Sequence, residues 1–166
     1  MGYHIFVMKI VLCTLFIIYS INQAANGAQT IVGPAAVVDG DTMDVNGTRI
    51  RLHGIDAPEG VQTCHRASSA TWDCGRESAQ ALARFIGRSP VRCDGKGQDR
   101  YGRTVAVCYR GSADINQWMV ANGWAVAFRQ YSLAYVGVEE SARRARLGLW
   151  AGTFEMPWDW RRAKRH

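Results

Sequence analysis

The amino-acid sequence predicts an α+β fold, in which a five-stranded β-barrel carries about three helices packed on one side. Two observations predict it. Strand-like segments come first as a three-stranded meander and then, after one helical segment, as a hairpin, and two further helical segments follow. The chain has 166 residues, 48% of them hydrophobic, which suits one compact domain better than two.

The meander is predicted from three neighbouring stretches. TIVGPAAVVDG runs as a strand into a turn, and DTMDV after it alternates as a short strand. Asn46–Gly47 is a strong hairpin signal, and TRIRLHGI then alternates polar and apolar residues, so that Ile50 and Leu52 face one side. Pro58 ends this third strand, and residues 59–73 are predicted to be irregular.

Three segments have the spacing of apolar residues that is typical of helices. DCGRESAQALARFIG has Asp73 as a candidate N-cap and Gly87 as a stop. SADINQWMVANGWA, ended by Gly123, and SLAYVGVEESARRARLGLW give the second and third helices. We expect the basic, aromatic tail, residues 156–166, to be a disordered, solvated end, with weak contact to phosphate backbones as the alternative.

PVRCDGKGQDRYGRTVAVCY predicts a second hairpin, with strands at 90–93 and 103–109 around a Gly-rich loop. Cys93 and Cys108 lie nearly symmetrically about this loop, so in an antiparallel pair they can face each other. The complete order of elements fits a small barrel of the oligonucleotide/oligosaccharide-binding (OB) type.

The N-terminal residues 1–28 resemble a secretory signal peptide. One lysine precedes the apolar run IVLCTLFIIYSI, and the polar, small-residue stretch NQAANGAQ follows it, with cleavage expected after Gly27 or Ala28. We therefore expect a periplasmic or secreted protein. An uncleaved membrane anchor at residues 10–21 is the alternative, although the apolar run is shorter than the roughly 20 residues a span needs.

In an exported protein, cysteines commonly form disulfides. Cys13 lies inside the leader, and the remaining four make an even number, which favours disulfides. Of three connectivities we favour Cys64–Cys74 with Cys93–Cys108, and four buried thiols are the alternative. Because no pair has C-x-x-C spacing, a zinc site is not favoured.

The net charge of +6 and the pI of about 9.3 favour a polyanionic partner such as nucleic acid. Most of the positive charge is arginine, which suits phosphate oxygens. Plain solubility is the alternative interpretation of the same charge.

Four acidic residues, Asp39, Asp41, Asp56 and Glu59, lie in or next to the predicted meander. Asp39 and Asp41 leave an extended chain from the same face, and the Asn46–Gly47 hairpin can bring Asp56 across the sheet towards Asp41. Such an oxygen-only set suits a hard cation, calcium or magnesium.

A phosphodiester is a natural substrate for that site. Glu59 can take a proton from water, and Arg51 and Arg103 can stabilise charge on the phosphate. Simple alternation places Arg51 and Asp56 on opposite faces, unless Gly54 carries a bulge or the strand ends there. A polar rim in which Arg51 pairs with a neighbouring acid is the structural alternative.

VVDGDTMDV, RIRLHGIDAPE and DRYGRTVAVCY together resemble the staphylococcal-nuclease-like, or thermonuclease, family. VANGWAVAFRQYS and ARRARLGLW are also similar, so the resemblance spans roughly residues 30–152 in register. The resemblance implies an OB-fold barrel with three helices. It also implies a calcium-dependent endonuclease that cleaves DNA and RNA to leave a 5′-hydroxyl and a 3′-phosphate.

The resemblance also implies roles for individual residues. The metal ligands fall on Asp41, Asp56 and the backbone carbonyl of Ala57, with Asp39 as an outer-shell acid. The general base falls on Glu59. The remaining positions are two phosphate-binding arginines and three aromatic residues near the nucleotide: Arg51, Arg103, Tyr101, Phe128 and Tyr131.

Some features depart from the family pattern. Residues 60–74 differ in length and character directly after Glu59, the four cysteines are additional, and the tail has no counterpart. The rival function is a non-catalytic nucleic-acid-binding OB-fold module, and a small structural or protein-binding barrel is a second rival. We expect a monomer with no stable protein partner, and no membrane contact unless the leader is retained.

Overall fold

The computed structural model describes residues 29–165, so the predicted leader, residues 1–28, and His166 lie outside the described residues. The strands are β1 (Thr30–Gly33), β2 (Ala35–Val37), β3 (Thr42–Val45), β4 (Thr48–Leu52), β5 (Ile55–Asp56), β6 (Cys64–Arg66), β7 (Thr71–Trp72), β8 (Val91–Gln98), β9 (Thr104–Arg110), β10 (Ala113–Asp114), β11 (Val126–Ala127) and β12 (Gly152–Thr153). The helices are α1 (Cys74–Ile86), α2 (Ile115–Ala121), α3 (Val136–Arg144) and α4 (Pro157–Ala163), with a 3₁₀ turn at Gly148–Ala151.

The main sheet has the order β1-β8-β9-β4-β3-β2, and the short β10 also pairs with β9. β1 and β2 stand at opposite ends of this order, yet only Pro34 separates them in sequence, so the two edges meet there. A proline has no N–H to donate to a strand ladder, which explains the break. Counting β1 and β2 as one interrupted strand gives the five strands of the predicted OB-type fold.

The turns predicted from sequence are present. Asn46 and Gly47 have φ of 48° and 78°, the left-handed conformations of the predicted hairpin turn between β3 and β4. Cys93 stands directly opposite Cys108 in the antiparallel β8–β9 pair. Both predicted disulfides, Cys64–Cys74 and Cys93–Cys108, are present.

One apolar cluster fills the space between the sheet and the first two helices. Ile50 and Leu52 of β4 are buried, as their alternation predicts. Helix α1 contributes Leu82, and α2 contributes Met119, to the same cluster. The core therefore lies on the side of β4 that carries Ile50 and Leu52, and Arg51 between them leaves the strand on the opposite side.

A second, smaller cluster lies under residues 59–73. This segment was predicted to be irregular, but it contains the short antiparallel pair β6–β7. The buried members of the cluster are the disulfide Cys64–Cys74 with Val126 and Leu149, and half-buried aromatic residues from residues 150–158 pack against it. This cluster connects the loop that follows the meander to the C-terminal residues of the chain.

The C-terminal tail is a correction to the sequence prediction. It is not a disordered end, because Pro157–Ala163 forms α4, with Pro157 at its first turn and Trp158 packed on the second cluster. Helix α3 is also shorter than the pattern suggested. It ends at Arg144, and Leu149 belongs to the following 3₁₀ turn.

No helix of the described part of the chain is both long and apolar enough to cross a membrane.

The Cys93–Cys108 bridge, whose partners are 15 residues apart, gives a prediction for stability. The double variant Cys93→Ala/Cys108→Ala should lose about 3 kcal/mol of unfolding free energy, because the unfolded chain regains the entropy of an open loop. Urea unfolding followed by tryptophan fluorescence measures the difference. A loss below about 1 kcal/mol would show that the bridge adds nothing to the hairpin's own pairing.

Candidate active site

Asp41 lies in the tight turn between β2 and β3, and the turn packs against α1. A Cβ atom on Gly40 would lie 2.1 Å from the Ser78 hydroxyl, so only glycine allows this approach. The Asp39 carboxylate accepts a hydrogen bond from the backbone N–H of Asp41 at 2.9 Å. Asp39 therefore supports the turn, and Asp41 points towards the sheet.

Gly54 decides how Arg51 and Asp56 meet. Strand β4 ends at Leu52, and Gly54 has a φ of 73°, so the chain turns before β5 instead of continuing the alternation. The second of the two sequence alternatives is the one observed. Asp56 is then held in β5 opposite Val126 of β11.

Arg51 joins the two acids. Its guanidinium lies 2.5 Å from Asp41 Oδ2 and donates to Asp56 Oδ1 at 2.8 Å. Asp41 Oδ2 also accepts a hydrogen bond from the backbone N–H of Ala57 at 2.7 Å. The predicted metal carboxylates and the predicted carbonyl residue are thus brought together around one arginine.

Burial sets the protonation properties of this group. It opposes the charge on Arg51, but the charges of Asp41 and Asp56 outweigh it and raise the Arg51 pKa. Burial also raises the pKa of Asp56, against the hydrogen bond from Arg161 and the charge of Arg51. Burial and the neighbouring Asp41 raise the pKa of Asp39 to about 6, so Asp39 is a weak acid.

The backbone of Glu59 is fixed by the buried side chain of Gln62. The Gln62 amide oxygen accepts from the Glu59 N–H at 3.2 Å, and its amide nitrogen donates to the Glu155 carbonyl at 2.7 Å. Gly75, in the first turn of α1, lies against the Glu59 carbonyl, where a Cβ atom would approach to 1.7 Å. The Glu59 carboxylate itself is 35% exposed.

Arg161 of α4 is a member of the site that the sequence analysis missed. It donates to Glu59 Oε1 at 2.7 Å, and to Asp56 Oδ1 and Oδ2 at 3.1 Å and 2.8 Å. A signal was present in PWDWRRAKRH, because a proline, then an acid, then basic residues is the order of a helix start and end.

Arg103 does not contact Asp41, Asp56 or Glu59. Its Nε donates to Asp99 Oδ2 at 2.7 Å, and its guanidinium lies 5.5 Å from the ring centroid of Tyr101. The β4–β9 register pairs Arg51 with Val105, so Arg103 leaves the sheet from the same face as Arg51, one pleat away. The two predicted phosphate-binding arginines therefore share a face without touching.

The predicted aromatic contacts lie beside the turn before Asp56. Phe128 donates its N–H to the Gly54 carbonyl at 2.9 Å. Tyr131 packs edge-on against Phe128 and is 63% exposed, whereas Trp158 of α4 stacks on Phe128 with 5.3 Å between ring centroids. Trp158 therefore covers part of the Phe128 ring, which the sequence analysis did not foresee.

The donor set fits a hard cation. Two carboxylates, Asp41 and Asp56, converge beside the Ala57 backbone, and these groups offer oxygen ligands, as calcium and magnesium prefer. Within residues 29–165, no group of three or more His, Cys, Asp and Glu side chains is placed to hold a metal ion. The described residues thus bring two carboxylates together beside the Ala57 backbone, with any further ligands left to water or substrate.

The model of the family described as staphylococcal nuclease homologue matches residues 49–152. That range includes Arg51, Asp56, Glu59 and Arg103, and it leaves out Asp41 and Arg161.

Three curated proteins are similar over most of the chain. A succinoglycan biosynthesis protein, ExoI, of Rhizobium meliloti is 40% identical over 129 residues, 76% of this chain and 68% of that protein. An uncharacterized endonuclease of Haemophilus influenzae is 33% identical over 165 residues, covering 95% of this chain and 87% of its own. A micrococcal nuclease of Shigella flexneri is 36% identical over 148 residues, which cover 78% of this chain and 79% of that protein.

The close approach of Gly75 to Glu59 gives a prediction. Gly75→Ala should lower the unfolding free energy by about 1–3 kcal/mol, because the added methyl group must displace the Glu59 backbone. The matched control is Gly137→Ala in α3, where a Cβ would meet nothing within 4 Å. Urea unfolding should show the control unchanged or slightly more stable, and equal behaviour of the two variants would contradict the proposed contact.

Proposed function

Because the chain belongs to the staphylococcal nuclease family, we propose that it is an exported, calcium-dependent endonuclease that hydrolyses DNA and RNA. The observation that supports this proposal best is the meeting of Asp41 and Asp56 at Arg51, with Glu59 beside them. A structural rim of ion pairs needs no such buried, charged group, since burying charges costs free energy.

The bound cation would lie at Asp41, Asp56 and the Ala57 carbonyl, with Asp39 behind Asp41. When bound, it supplies positive charge to a phosphate oxygen and to the attacking water. The Asp39 hydrogen bond to the Asp41 backbone keeps the Asp41 turn in place for this role.

Glu59 is the proposed general base. Its carboxylate is the most exposed of the three that contact Arg51 or Arg161, so water can reach it. Its backbone is fixed by Gln62. It takes the proton of a water molecule whose oxygen attacks phosphorus. The bond from phosphorus to O5′ breaks, and O5′ takes a proton from a solvent water molecule, which leaves a 3′-phosphate and a 5′-hydroxyl.

Arg51 and Arg103 are the proposed stabilisers of the negative charge that develops on phosphorus oxygens. Asp99 binds Arg103 only through Nε and the backbone N–H, so the terminal guanidinium nitrogens face no hydrogen-bond acceptor within residues 29–165. They are therefore available to a phosphate, on the same face of the sheet as Arg51.

The substrate strand is proposed to cross this face between two exposed tyrosines. Tyr101 is 67% exposed beside Arg103, and Tyr131 is 63% exposed beside Phe128. Exposed rings stack on bases with little sequence preference, which suits an enzyme that accepts DNA and RNA. The net charge of +6 adds a general attraction for the polyanion.

Export is proposed from the leader and is supported by the two disulfides, which persist in oxidising compartments. We propose a monomer that acts without a protein partner.

The test is cleavage of supercoiled plasmid, single-stranded DNA and RNA by the disulfide-intact protein, with calcium or with a chelator. Calcium-dependent cleavage of all three supports the proposal. Salt-sensitive DNA binding without cleavage under any divalent cation would instead indicate the nucleic-acid-binding module. Absence of both binding and cleavage would reject a nucleic-acid function.

Glu59→Gln gives the sharpest variant. It should lower kcat by about 10²- to 10⁴-fold with little change in DNA affinity, because the amide cannot accept the proton. The matched control is Glu140→Gln on the exposed side of α3. Gel-based single-turnover cleavage measures both, and a Glu59→Gln rate near that of the control would rule out Glu59 as the base.

A further inference from the structure

Arg161 is placed at the site by a helix whose position is fixed at several points. Pro157 is buried at the start of α4, and Trp158 stacks on Phe128. Glu155 lies two residues before α4, and its carbonyl accepts a hydrogen bond from the Gln62 side chain. The same side chain fixes the Glu59 backbone. The helix and the Glu59 loop are therefore held by shared contacts.

We propose that Arg161 is a positioning residue of the active site, which holds the Glu59 carboxylate beside Asp56 and at the same time lowers the affinity of the site for its cation. This inference rests on the proposed nuclease function. The match to the family model ends at residue 152, so that match assigns no role to Arg161.

The hydrogen bonds explain the positioning. One guanidinium nitrogen, Nη1, is shared between Glu59 Oε1 and Asp56 Oδ1, and Nη2 binds Asp56 Oδ2. Asp56 has no exposed side-chain surface, so it is a fixed anchor for the guanidinium. Glu59 Oε2 accepts no hydrogen bond within residues 29–165, and it is thus the oxygen left to take a proton from water.

The charges explain the effect on the cation. Asp41, Asp56 and Glu59 contribute three negative charges, and Arg51 and Arg161 contribute two positive ones. Removing Arg161 changes the net charge of this group from −1 to −2 within contact distance of the cation ligands. A divalent cation should then bind about tenfold more tightly, because opposite charges attract strongly in a partly buried site.

If Arg161 only competed with the cation, its removal would have a different effect on the cleavage rate. If Arg161 only occupied the place of the cation, its removal would accelerate cleavage at low calcium and leave kcat unchanged at saturating calcium. If it positions Glu59, its removal lowers kcat at saturating calcium although the cation binds more tightly. Measuring binding and kcat on the same protein separates the two.

The experiment compares wild type, Arg161→Gln and the matched control Arg162→Gln by calcium titration calorimetry and by DNA cleavage at saturating calcium. Arg162 is the next residue of α4, is exposed and, within residues 29–165, forms an ion pair with Asp159 alone, so its variant has the same loss of charge. We expect Arg161→Gln to bind calcium about tenfold more tightly and to have a kcat about 10- to 100-fold lower, with KM within about twofold. The control should match wild type.

Two further variants separate positioning from a structural role. In a Glu59→Gln background, Arg161→Gln should change kcat by less than about twofold, because a residue that acts through Glu59 has nothing left to position. Arg161→Lys keeps the charge and the fold but cannot bridge both carboxylates, so it should keep wild-type calcium affinity and restore kcat only in part. Circular dichroism establishes that each variant is folded.

The outcomes are decisive. Unchanged or higher kcat in folded Arg161→Gln at saturating calcium overturns the positioning role, and unchanged calcium affinity overturns the charge effect. If the kcat losses of Glu59→Gln and Arg161→Gln multiply fully in the double variant, the positioning role is also overturned. If wild type itself does not cleave nucleic acid, the proposed function fails, whereas active wild type with no effect of Arg161→Gln rejects this inference alone.

Discussion

The ionic contact of Arg51 with Asp41 and Asp56 is the constraint on which the arrangement of the site depends. These side chains come from β4, from the turn before β3 and from β5, and all three are largely buried. Two carboxylates packed together without a counter-ion repel each other and lose their hydration. The sheet can therefore close around this group only with a guanidinium between them, which fixes three separate segments relative to one another.

Residues 59–75 extend this constraint to Glu59. The segment contains the short pair β6–β7, and it is held in place because the buried side chain of Gln62 accepts from the Glu59 N–H and the Cys64–Cys74 bridge closes the loop. Gly75 brings the first turn of α1 against the Glu59 carbonyl. The segment that departs most from the family pattern is thus the one that sets where the proposed base stands, and α4 completes it from the other side.

The proposed chemistry uses this rigidity in a simple way. In the proposed mechanism Arg51 balances part of the negative charge of two carboxylates, so the site still attracts a cation. Arg51 and Arg103 also present guanidinium groups to a phosphate on the same face of the sheet. In the proposed mechanism the metal and the phosphate meet between these groups. Arg161 adds a second guanidinium at Asp56 and Glu59, which relates the charge balance of the site to the docking of α4.

Local patterns in the sequence determined much of this protein. Alternation in TRIRLHGI, the Asn46–Gly47 turn and the symmetry of Cys93 and Cys108 depend on neighbours in the chain or in one hairpin, and the structure agrees with each. The motifs likewise predicted that Asp41, Asp56 and Arg51 belong to one site, and these side chains are in contact in the structure. Only the tertiary structure decided that the chain turns at Gly54, that Trp158 covers Phe128 and that Arg161 reaches Asp56 across 105 positions of sequence. Those contacts depend on how separate segments pack, and a guanidinium in a basic tail looks the same in sequence whether it meets solvent or a buried carboxylate.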